Sequence, residues 1–301
     1  RFGHDEELTR EYDEMMEAEL YAKFKEDLKK YLDDPAIHVL EPIYVERHED
    51  FLSKESMFEE MAKDMQDVDL YLFNTEIGRT DITTEFAQRY KKPIAIMPGN
   101  CCCIADCVPP VIARGLEAYG FLTWDDCVKT MRALRVRKVL KNMNVLVAPR
   151  YNANKSYSSE SSFNSLDQVT DKFGIKFRVV NFHELMDQTH VVDPESNHTV
   201  PGRALYNLTE EDMVEVERIT DELIAGAKDC NIAKDKLIKS VKLYYTVQKL
   251  MDVLDCNAFS MPCPDACASR RLNEEQFTAC LTHSLNNELG IPSACEYDIG
   301  A

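Results

Sequence analysis

The sequence predicts an α/β fold of two consecutive Rossmann-like units, each a parallel sheet with helices on both faces. Three observations predict it. Short apolar runs bounded by turn residues recur along the chain, helical stretches separate them, and the runs are continuously apolar, as in strands buried on both faces. A length of 301 residues suits about two domains, and a composition that is 45% apolar suffices for two cores.

Residues 9–32 read as a long amphipathic helix. Thr9 caps it, Glu11 and Asp13 suit its first turn, and Tyr21, Phe24, Leu28, Tyr31 and Leu32 form one stripe. Asp33-Asp34-Pro35 ends it. A strand-like run over 37–45 follows, then a helix around 57–65, the apolar run 68–73, a helix over 84–90 and the strand 93–97. A helix from Trp124 to Lys141 leads to the apolar run 144–148. From Pro149 to Ser165 the composition turns to Asn, Ser and Tyr, which suits a domain crossing or a binding loop. The boundary is therefore expected near 150, giving units 1–150 and 151–301. The second unit reads as a helix over 165–173, a strand over 175–181, a polar loop over 187–203 and a helical region over 210–254 broken near Asn231. A strand over 256–260 and a helix over 274–288 then lead into a terminal, central strand over 291–298. No Gly-x-Gly-x-x-Gly follows a strand, so no dinucleotide site is expected.

With 53 acidic against 35 basic side chains the net charge is −18, which argues against a nucleic-acid partner. No run of eighteen apolar residues suggests a membrane span, and the charged start is unlike a signal peptide. A soluble, cytoplasmic protein is expected. Its eleven cysteines are odd in number and irregularly spaced, unlike a secreted disulfide framework, and are expected to be reduced thiols packed as small hydrophobes. Two groupings could instead ligate a metal: Cys101, Cys102 and Cys103 with Cys107, and Cys263 and Cys267 with Cys280 and Cys295. Three adjacent cysteines cannot all point one way on a regular element, which favours Cys263 and Cys267.

The final run, Ile291-Pro292-Ser293-Ala294-Cys295-Glu296-Tyr297-Asp298-Ile299-Gly300-Ala301, delivers two acidic residues at the end of an apolar strand. Buried acids need a cation or a substrate proton as partner. With the lead-in Cys280-Leu281-Thr282-His283-Ser284-Leu285-Asn286-Asn287-Glu288-Leu289-Gly290, this run resembles the end of the second domain of L-fucose isomerases and their L-arabinose isomerase relatives. The resemblance covers the order of elements along most of the chain and is specific over the last twenty or so residues. It implies that Glu296 sits at a divalent metal, Mn²⁺ or Mg²⁺, and exchanges protons with a monosaccharide. Asp298 is its companion in the pattern and a candidate second ligand. The resemblance also implies a homo-oligomer with sites where subunits meet. The family's remaining metal ligands follow this segment, so the chain is expected to be an incomplete one whose C-terminal domain, or a second polypeptide, is missing.

Interconverting an aldose and a ketose moves one proton between C1 and C2 and another between their oxygens. A carboxylate such as Glu296 can take and return the carbon-bound proton, and a hard divalent ion can hold the enediolate oxygens. Strand alternation turns Cys295 away from Glu296 and into the core. Arg79, in a loop after the run 68–73, can contact a sugar or pair with a neighbouring acid. Glu274 and Glu275 are expected at a helix start, where acids suit the dipole, and His283 as a packed or surface residue. His183 and His190 flank polar sequence and take no assignment. Two other classes stay open: a non-catalytic two-lobed sugar-binding or regulatory protein, and a structural subunit active only beside a second polypeptide.

Overall fold

A computed structural model describes residues 6–45, 54–74, 80–99, 101–150 and 165–298, with the side chains of residues 6–17, 265 and 267 left aside. The chain is α/β and divides into two compact units, Arg1–Val136 and Arg137–Ala301. The expected boundary near 150 lies past β4 (Asn144–Val147), which pairs within the second sheet. The division instead falls inside helix α5 (Trp124–Lys141).

In the first unit, α1 (Glu6–Tyr31), α2 (Lys54–Met61), α3 (Thr80–Tyr90) and α4 (Cys101–Ile112) precede or alternate with three strands. The strands β1 (Tyr71–Phe73), β2 (Ile94–Ile96) and β3 (Ala118–Gly120) pair in parallel in the order β1-β2-β3. Alternation along the central strand serves two cores. Ile94 and Ile96 pack with Met57, Phe58, Phe86, Cys103 and Cys107, whereas Ala95 packs with Phe24, Leu28, Leu32 and Cys127. Both faces of this sheet are thus covered by helices.

The expected strand over 37–45 does not form. Pro42 has no N–H for a ladder, and the segment packs on α1 instead: the Tyr21 hydroxyl donates to the Pro42 carbonyl at 2.8 Å, and Tyr21 and Tyr44 rings lie 5.0 Å apart. The cysteine triplet starts α4, and its side chains point different ways. Cys101 and Cys102 are exposed there, while Cys103 and Cys107, one turn apart, enter the core.

The second unit orders β4, β5 (Lys176–Val179), β6 (Ala258–Ser260) and β7 (Ser293–Ala294) as β5-β4-β6-β7, all parallel. Helix α6 (Leu166–Phe173) starts with a capping box between Ser165 and Gln168 and ends at Gly174, whose φ of 77° suits the left-handed cap. Helices α7 (Phe182–Gln188), α8 (Glu210–Gly226) and α9 (Lys234–Val253) follow, and the break between the last two spans the expected Asn231. Short helices α10 (Cys263–Ala268) and α11 (Arg271–Glu275) precede α12 (Cys280–Glu288). Leu146 and Phe259 face α7 and α9; Val145, Val147 and Ala258 face α6. Among the described residues, no helix is long and apolar enough to cross a membrane.

Candidate functional site

In the second sheet the chain passes from β4 outward to β5, then returns to place β6 on the other side of β4. That reversal is a switch point in strand order at the carboxyl ends of β4 and β6, the place where open parallel sheets bind ligands. Ala148-Pro149-Arg150 emerges there from β4, Met261-Pro262-Cys263 from β6, and Cys295-Glu296-Tyr297-Asp298 beside them from β7. Backbone bonds knit the three ends together. Ala148 N–H donates to Ser260 O at 3.2 Å and Tyr297 N–H to Met261 O at 3.0 Å. The Ser260 hydroxyl donates to Ala294 O at 2.9 Å.

The acidic segment is a turn, which corrects the expected strand over 291–298. Pairing stops at Ala294, and β7 has two residues at the sheet's edge. Glu296 and Tyr297 both take φ of 60°, a left-handed conformation that costs a non-glycine residue roughly 1–2 kcal/mol. Tyr297 offsets the strain by burying its side chain completely among Val145, Val147, Leu166 and Ala258. Asp298 N–H closes the turn on Cys295 O at 3.1 Å. With alternation ended, Cys295 is exposed rather than in the core, Glu296 is exposed, and Asp298 is half-buried.

A hard divalent ion takes about six oxygen ligands. Glu296 and Asp298 supply at most two carboxylates, and no group of three or more His, Cys, Asp or Glu side chains able to hold a metal occurs among the described residues. These residues therefore do not by themselves fit Mn²⁺ or Mg²⁺. Arg79 and the side chain of Cys267 lie outside what the structure describes. Of the other expected thiol ligands, Cys280 is exposed on α12 and Cys263 half-buried at the start of α10.

Sequence reasoning missed a polar cluster on the elements after β5 and β6. Glu275 closes α11 instead of starting a helix; its carboxylate lies 3.3 Å from His190 Nε2 and 3.8 Å from Arg271 Nε. Arg271 also bonds Asp187 at the end of α7, and Lys239 donates to the Glu275 carbonyl at 3.0 Å. The signal available was the basic pair followed one turn later by an acidic pair in Arg270-Arg271-Leu272-Asn273-Glu274-Glu275, which carries no long-range information about His190. His283 is packed, as expected. It stacks on Phe259 at 5.4 Å and Nδ1 lies 2.8 Å from Ser293 Oγ, while burial pushes the imidazole down to about 4.

A scan of protein-family models finds no match to this chain, and a search of curated proteins finds none either.

Proposed function

We propose that the chain is part of an aldose–ketose isomerase of the L-fucose/L-arabinose isomerase type, its two units being Rossmann-like halves of a cytoplasmic, oligomeric enzyme. The observation that carries this reading is the acidic turn: an exposed carboxylate, Glu296, held on strained backbone beside the switch point of a parallel sheet. Strain of this kind persists only where surrounding packing enforces it, and it gathers at functional sites. In the proposed reaction, Glu296 removes the proton on C2 of the open-chain aldose, leaving an enediolate. It returns that proton to C1 while the hydroxyl proton passes from O2 to O1, which gives the ketose.

The charge on the enediolate oxygens needs a cationic partner. The resemblance implies Mn²⁺ or Mg²⁺, which would polarise those oxygens, with ligands beyond Glu296 and Asp298 coming from polypeptide outside the described residues. Arg79 is the proposed sugar contact of the first unit. The test is ketose formation from a panel including L-fucose and L-arabinose, by the protein carrying these residues with Mn²⁺ added. Conversion of at least one aldose is expected. Sugar binding without conversion of any would favour the non-catalytic reading.

A further inference from the structure

One cleft lies wholly within the first unit. At the carboxyl ends of that unit's three parallel strands it opens to about 380 Å³ between α1 and the start of α5. That volume falls in the range of small-molecule pockets, and strand carboxyl ends are where such sheets bind ligands. Lys23, Asp27 and Tyr31 line one wall at successive turns of α1; Asn74 after β1 and Leu122 and Trp124 after β3 line the others.

Three details give the cleft a chemistry. Tyr31 and Trp124, both lining the cleft, stack with centroids 5.1 Å apart and planes 9° from parallel, which gives the wall an aromatic pair. Leu122 leaves 69% of its surface exposed here, although Phe121 beside it is buried, so the cleft offers apolar contact that the described residues do not cover. One cation and one anion, Lys23 and Asp27, stand with the Asn74 amide at the rim, so the polar groups carry no net charge. A ligand that matches has one apolar ring face for the aromatic wall, hydroxyls for the carboxylate, amide and ammonium, and no charge of its own.

We propose that this cleft binds a neutral pyranose, at a site separate from Glu296 and needing no metal. The reading goes beyond the isomerase proposal and does not depend on it.

Trp124 is the only tryptophan in the 301 residues, so intrinsic fluorescence reports on this cleft directly. The experiment titrates the chain, with chelator present, with methyl α-L-fucopyranoside, methyl α-D-glucopyranoside and methyl α-D-mannopyranoside, whose locked rings exclude turnover. A saturable change in emission is expected with at least one. Asp27→Asn and Tyr31→Ala, both at positions outside the core, should raise the half-saturating concentration at least tenfold, about 1.4 kcal/mol. Glu296→Gln should leave it unchanged, which separates this site from the catalytic proposal. No saturable response to any glycoside, a response untouched by Asp27→Asn and Tyr31→Ala, or saturation by zwitterionic L-leucine with none by a glycoside would overturn the inference.

Discussion

The backbone N–H of Tyr297 donates to the carbonyl of Met261 at 3.0 Å, which ties the turn after β7 to the first residue after β6. This bond and the buried Tyr297 ring hold Glu296 in a conformation it would not choose. Two substitutions should therefore move stability in opposite directions. Tyr297→Ala removes a fully buried aromatic side chain and should cost about 3–5 kcal/mol in urea unfolding. Glu296→Gly relieves left-handed strain and should stabilise on the order of 1 kcal/mol while removing the proposed base. Loss of stability in Glu296→Gly as well would mean that contacts of Glu296, alongside Tyr297, hold the turn.

His283 gives the second unit a pH dependence of definite sign. Burial holds its folded pKa at about 4, below the ordinary 6.5, and Nε2 is buried without a partner among the described residues. Above pH 6.5 both folded and unfolded chains carry a neutral imidazole and the full stability is present. As pH falls from 6.5 towards 4, only the unfolded chain takes up the proton, so stability declines by up to about 3 kcal/mol. His283→Gln should flatten that part of the stability–pH curve measured by chemical unfolding. An unchanged slope would show that other groups carry it.

Mn²⁺ should bind the 301-residue chain weakly, since Glu296 and Asp298 leave most of the coordination shell to water. Calorimetric titration should show no saturation at one ion per chain. Tight stoichiometric binding would demand a ligand set that the described residues do not form.

The fold was legible wherever local pattern and tertiary context agreed. The helix Trp124–Lys141, the broken helical region now seen as α8 and α9, and the strands β4 and β6 lie where apolar periodicity places them. The run 37–45 has the composition of a strand but no paired neighbour among the described residues; Ile37 packs beside α1 and the Tyr21 hydroxyl holds the Pro42 carbonyl, while Val39 and Tyr44 stay exposed. Helix α4 went unread behind its cysteines, and it carries Pro109 and Pro110 in its last turn. At the site, the acidic pair was visible in sequence, whereas the turn was not. Left-handed conformations at Glu and Tyr have no residue signature of the kind Gly or Asn provides, and the buried Tyr297 that enforces them is a tertiary effect. The cleft around Trp124 brings together residues a hundred positions apart, beyond the reach of any local pattern.

The role of Glu296 is tested most directly by Glu296→Gln in protein that converts an aldose to its ketose. The substitution keeps size and removes the base, so turnover should fall by about 10²–10⁴-fold, the usual loss for a general base. Asp298→Asn measured alongside shows whether the two acids act together, through a comparable loss, or whether Asp298 only supports the turn, through a mild one. Turnover of Glu296→Gln close to that of the parent would contradict the assignment of this turn as the catalytic site.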